Sequence, residues 1–229
     1  MADLRTAAPL ASVLVVNLII PATDGCYQVI THSCCHAMRA SFSHGMLPHR
    51  LQVVCYYGVL ADDDAAPSAA TRLYQRFAAG TDAFRNARFK LIPSVEEGPW
   101  LVKTGVGSRA SILGKALKQR FARGDGESLH TPVHVRCRQP PPGAHARVRA
   151  CIHRVGYLEV IVDCNSSPAA GRIVSLVKSY ARSLVVDLAF VVEAQTTDEL
   201  PEKAIGCTRL MHIDLSESAI PTYVEGDAV

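Results

Sequence analysis

Between Asp82 and Gly107 the chain sets Arg85, Arg88, Lys90 and Lys103 around Trp100, its single tryptophan, and Lys115 follows shortly after. Such residues suit an anionic headgroup. Guanidinium and ammonium groups make charge-assisted hydrogen bonds to phosphate or carboxylate oxygens, and tryptophan settles where apolar and aqueous phases meet. A plainer reading stands beside this one. Cations that alternate along a half-buried strand form its wet face, and a tryptophan after Gly-Pro anchors a core. Both readings stay open at the level of sequence.

Nucleophilic catalysis of the Ser–His–acid kind needs a histidine. Eight of the nine histidines fall in two segments, and the remainder of the chain offers only His212. Glu159 and Asp163 share one side of a strand, but four residues at about 3.3 Å each put them roughly 13 Å apart. Asp187 sits inside "LVVDLAF", where an unpaired carboxylate is costly to bury. A structural ion pair with Arg88 or Lys90 is the expectation. The chain is therefore read as a non-enzyme, with no catalytic residue, no cofactor and no metal.

The histidine-rich segments are 31–50 and 123–154. "HSCCH" has zinc-binding groups but no CxxC spacing, so a metal site is not expected. Segment 123–154 holds six Arg and two acids, a local net charge of +4 against +3 for the whole chain. Everything else is then near neutral, and nucleic acid is not expected as a partner. Loops this long are uncommon inside a domain. They are read as insertions, either functional or translated intervening sequence.

The 229 residues, 48% hydrophobic and 20% charged, are expected to form one domain over 10–222, interrupted by the two segments. "LASVLVVNLII" (10–20) is too short for a membrane span. A buried first strand is preferred to a weak signal peptide. Eight cysteines in a chain of this size, some inside apolar runs, favour free thiols and a reducing, cytoplasmic compartment, with attachment to a membrane surface left open.

Strands are expected at 12–20, 51–60, 87–95, 100–106, 156–163, 184–194 and 204–215. The stretch 111–121 is ambiguous by periodicity and is read as a strand pair. Helices are expected at 67–79 and 168–183, the second capped by Ser167 and carrying Ile173, Leu176, Val177 and Tyr180 on one face. Pro93 places its strand at an edge or bulge. Two helices among so many strands predict an α+β fold, a curved and mainly antiparallel sheet with both amphipathic helices packed on it.

"VNLIIP" (16–21), "DAFRNARFKLIPSVEEGPWLVKTGVGSRASILGKALKQRF" (82–121), "YLEVIVDCNSSPAAGRIVSLVKSY" (157–180) and "SLVVDLAFVVEAQTTDELPEKAIGCTRL" (183–210) closely resemble, in order, the C-terminal domain of the plant Enhanced Disease Resistance 2 family. Both histidine-rich segments depart from that pattern. In the plant parent this domain follows a pleckstrin-homology domain and a START-type lipid-transfer domain, and the parent acts at membranes. Neither of those sequences lies in these 229 residues, so none of their lipid-binding residues is carried over, and the resemblance implies no catalytic residues. The resulting expectation is a binding module for a lipid or other amphipathic ligand at a membrane surface. The alternative is a regulatory protein-interaction domain whose partner is another protein.

Overall fold

The computed structural model describes residues 10–21, 27–32, 50–60, 66–124 and 156–214. In chain order the main elements are β1 (Leu10–Pro21), β2 (Tyr27–His32), β3 (Arg50–Leu60), α1 (Ala69–Ala79), α2 (Asp82–Asn86), β4 (Phe89–Glu97), α3 (Trp100–Val106), β5 (Ser111–Ile112), α4 (Leu113–Ala116), β6 (Lys118–Gly124), β7 (Tyr157–Asp163), α5 (Pro168–Tyr180), β8 (Val185–Val192) and β9 (Ala204–Met211).

The fold is α+β, but the strands form two sheets instead of one. The first has the order β2-β3-β1-β7-β6 and the second β5-β4-β8-β9. With few long helices to cover them, the strands bury their apolar faces against each other. Every pair in the second sheet is antiparallel. The first contains two parallel pairs, β1 with β7 and β2 with β3. A parallel pair needs a long crossover, and between β1 and β7 the second sheet's strands β4 and β5 and four helices lie along that path.

The run at 10–20 is the central strand β1, antiparallel to β3 and parallel to β7. Leu14, Val16 and Leu18 point one way, Val13, Val15, Asn17 and Ile19 the other, and all seven are buried. A strand covered on both faces reads as a continuous apolar run, which is why it resembles a signal peptide in one dimension.

Aromatic rings tie the layers together. Tyr57 of β3 meets Phe190 of β8 at 5.8 Å between centroids, Phe190 stacks on Phe89 of β4 at 5.5 Å, and Phe89 stacks on Phe77 of α1 at 5.6 Å. Such pairs add about 0.5–1.5 kcal/mol each beyond the area they bury. Tyr57 crosses β9 at Gly206, where an added Cβ would lie 2.0 Å from its ring. Its hydroxyl and that of Thr208 share a buried 2.7 Å hydrogen bond.

Helix α1 starts at Ser68, whose hydroxyl accepts from the Thr71 N–H. It buries Leu73, Tyr74 and Phe77 while Arg72, Gln75 and Arg76 face water. Helix α5 matches its periodicity but rests less deeply than expected. None of its residues is fully buried; Val174, Leu176 and Val177 pack on the core, whereas Ile173 and Tyr180 are exposed. Ser167 occupies the N-cap position without a side-chain cap bond. Neighbouring Ser166 instead accepts from the Lys118 N–H and donates to the Asp163 carbonyl.

The expected return strand at 100–106 is helix α3. Gly98, at φ +141°, and Pro99 turn the chain, and the Pro99 carbonyl accepts from both Val102 and Lys103 N–H groups. That closes a first helical turn where a hairpin would need ladder bonds. The stretch 111–121 divides into β5, α4 and the start of β6. Gly114 lets α4 lie against the end of α2, since a Cβ there would stand 2.2 Å from the Asn86 carbonyl oxygen. Pro93 fits the expectation of an open side: it pairs with Leu188 of β8, while β5 reaches only Lys90 and Leu91.

The ends of the two histidine-rich segments are strand residues, Thr31 and His32 in β2, Arg50 in β3, and Arg123 and Gly124 in β6. Their other residues lie outside the described ones. Cys55 and Cys164 are buried free thiols, and burial pushes the Cys164 thiol up to about 12. Cys207, in or beside an apolar run by sequence, is exposed, because alternate β9 residues face water.

Candidate functional site

Three of the cations singled out from sequence face inward. Arg85, on α2, donates from Nε to the Phe77 carbonyl (3.1 Å) and from Nη2 to the Ala78 carbonyl (2.8 Å). These are last-turn acceptors of α1, which a basic side chain satisfies well. Its third partner is Asp82 at 2.8 Å, and its guanidinium lies over the Phe121 ring. Arg88 donates to Glu199 at 2.7 Å and to the Glu193 carbonyl at 3.1 Å, packed over Phe84. Lys90 binds Glu202 at 2.8 Å and Glu193 at 3.3 Å. Burial alone would lower the Lys90 ammonium, but hydrogen bonds and charge from Glu202 and Glu193 hold it above its ordinary value.

Glu199 is the hub of this network and is 3% exposed. It accepts from Arg88, from Arg76 at 2.8 Å and from the Gln195 N–H at 2.8 Å. Burial pushes its carboxyl up, yet the Gln195 N–H, Arg88 and Arg76 prevail and hold it at about 2. A buried carboxylate with this many donors is a brace.

Asp187 pairs with neither Arg88 nor Lys90. The β8–β9 register sets it directly opposite Arg209, whose guanidinium grips it at 2.7 and 2.6 Å. Its side chain lies on the outer face, between inward-facing Val186 and Leu188, so the partner comes from the neighbouring strand. Arg209 holds the Asp187 carboxyl below the usual range.

Trp100, Lys103 and Lys115 have a different fate. Trp100 is 75% exposed and Leu101 beside it 44%, while Val102 is buried and Val106 packs partly against the core. Lys103 donates to the Glu96 carbonyl at 2.8 Å with its side chain exposed, and Lys115 is exposed on α4. They belong to a larger set that the sequence reading missed. From Gly98 to Gly124 there are six cations, Lys103, Arg109, Lys115, Lys118, Arg120 and Arg123, and not one acid. All six are exposed. None forms an ion pair with a described residue. The signal was a local one, a 27-residue window free of Asp and Glu, and a charge count taken over everything outside 123–154 averaged it away.

Where β6 ends, Arg123 borders an open groove of about 620 Å³ lined also by Ser12, Tyr74, Tyr157 and Leu158. The Ser12 and Tyr74 hydroxyls lie 3.2 Å apart there. Elsewhere Glu159 accepts from the Asn17 amide at 3.3 Å, and burial raises its carboxyl despite that bond. His212 sits at φ 47° with Nδ1 3.1 Å from the Arg182 carbonyl and Nε2 3.8 Å from Glu97. Among the described residues no three His, Cys, Asp or Glu side chains gather as metal ligands, and no helix is long and apolar enough to cross a membrane.

The family described as "Protein ENHANCED DISEASE RESISTANCE 2, C-terminal" matches residues 3–214. An Arabidopsis thaliana protein named "Protein ENHANCED DISEASE RESISTANCE 2-like" is 39% identical over 149 residues, which is 65% of this chain and 17% of that protein. The chain thus corresponds to a small part of that relative's length. No solved structure matches.

Proposed function

Starting from a chain that belongs to the Enhanced Disease Resistance 2 C-terminal family, we propose that this domain is a non-catalytic binding module for a lipid or other amphipathic ligand, acting at a membrane surface through helix α3. The observation that carries the reading is the exposure of Trp100 and Leu101 side by side at the start of that helix. An indole with an apolar body and one N–H donor partitions to the headgroup region of a bilayer, and the adjacent leucine adds apolar area that water leaves uncovered. Lys103 lies three residues on, on the same helical face as Trp100. Arg85, Arg88 and Lys90 drop out of the ligand set because carboxylates and carbonyls of the fold already hold them.

Flotation with phosphatidylcholine vesicles tests the reading. The full chain is expected to float with the vesicles, and W100A/L101A to lose about tenfold in affinity, the equivalent of part of two apolar side chains leaving a nonpolar phase. Absence of vesicle binding by the unaltered chain defeats the reading. A partner captured from extract that survives detergent and is lost in W100A/L101A would reassign the surface to a protein.

A further inference from the structure

We infer that the side of the molecule running from α3 through β5 and α4 to β6 selects an anionic bilayer, with Lys103, Arg109, Lys115, Lys118 and Arg120 toward the headgroups and Trp100 and Leu101 at the apolar end; Arg123, on the opposite face of β6, borders the groove instead. This rests on the membrane-docking reading above and adds the chemistry of the surface that is docked.

Three observations converge on it. The first is pairing. Arg76, Arg85, Arg88, Lys90, Arg182 and Arg209 all have a carboxylate partner. The six cations of 98–124 have none among the described residues; Arg72, Arg172 and Lys203 have none either, but they are scattered singly and not gathered in one acid-free stretch. Exposed charge of one sign over 27 residues raises a positive potential outside the molecule, although the β6–β7 register sets Asp163 opposite Lys118. The nearest preceding acids in sequence, Glu96 and Glu97, come before the Gly98–Pro99 turn.

The second is placement. β5 is the end strand of one sheet and β6 the end strand of the other. The short α4 joins them directly, so the basic stretch follows the border of both sheets. A border of that kind suits an extended charged plane better than an enclosed small anion.

The third is the apolar component. Trp100 and Leu101 begin the same stretch, and a bilayer has both an anionic surface and an apolar interior to receive them. A nucleic acid would answer the cations and the indole but has no place for the leucine.

Each cation near an anionic leaflet adds about fivefold to binding at low salt, and the gain fades as the screening length contracts from about 10 Å at 0.1 M to about 3 Å at 1 M salt. The test is flotation of the full chain with phosphatidylcholine vesicles, alone or mixed with phosphatidylserine, at both salt levels. Wild type is expected to bind the phosphatidylserine vesicles at least about tenfold more tightly at low salt, with the difference closing at high salt. K115Q/K118Q/R120Q is expected to lose most of that gain and keep its binding to neutral vesicles. The charge-conserving K115R/K118R/R120K should behave as wild type, which separates charge from any disturbance of the fold. Equal affinity for the two vesicle types, or an unchanged gain in the glutamine variant, overturns the inference and leaves docking itself intact. Loss of binding to every vesicle overturns both. Retention on single-stranded RNA without any vesicle binding overturns both and gives the edge to nucleic acid.

Discussion

Arg88 and Arg120 are the same residue type, each beside an aromatic in sequence, and the fold treats them in opposite ways. Arg88 is buried against a glutamate 111 residues further along the chain; Arg120 faces water from the last strand of a sheet. The difference lies in the acids. The segment 193–202 brings Glu193, Glu199 and Glu202 to the start of β4, whereas nothing acidic occurs between 98 and 124. Arg88 and Lys90 are structural because distant acids are delivered to them. On the proposed reading the two regions divide the work into bracing and docking.

The largest expected effect lies in the brace. R88M leaves Glu199 buried with one fewer cation, and removing one partner of such a pair costs about 3–5 kcal/mol. The urea midpoint should fall accordingly, with vesicle binding unchanged at temperatures where the variant stays folded. A midpoint near that of wild type would show that the two regions differ less than their geometry says.

G114A strikes where the regions meet, at the contact of α4 with α2. A Cβ 2.2 Å from the Asn86 carbonyl oxygen forces backbone apart, and overpacking of this kind costs about 1–3 kcal/mol. Because α4 carries Lys115 and joins β5 to β6, this change is expected to lower the melting temperature and also weaken binding to anionic vesicles. An effect on stability alone would show the two regions to be independent even at their junction.

Acid titration sharpens the comparison further. Glu199 is held at about 2 in the fold, below the unfolded value of about 4.3, so the unfolded chain takes up this proton first. The stabilisation is fully present above that unfolded value and is lost as pH falls toward 2. Urea midpoints between neutral pH and pH of about 2.5 should drop steeply in wild type and less so in E199Q, which begins lower. Parallel slopes would remove Glu199 from the acid-sensitive set.

The smallest stability effect belongs to the edge. Each substitution in K115Q/K118Q/R120Q touches an exposed, unpaired side chain and should change stability by no more than about 0.5 kcal/mol. A marked fall in melting temperature would mean that these cations brace the fold after all.

Much of the architecture was legible in one dimension. The β-branched runs gave β1, β3, β7 and β8, and the 3.6-residue spacing gave α1 and α5, because both signals are periodic and local. The acid-free window around α3 to β6 was equally open to view, since local charge needs no folding to be counted. What the tertiary structure alone decided was contact between remote residues. The hairpin expected at 100–106 became a helix because the Pro99 carbonyl found two N–H donors within one turn, and the strands split into two sheets because apolar faces had to cover one another. Asp187 met Arg209 through the β8–β9 register, and Arg88 met Glu199 across most of the domain. Composition and spacing determine which groups must be satisfied; which partner satisfies each depends on distances that exist only after the chain has closed on itself.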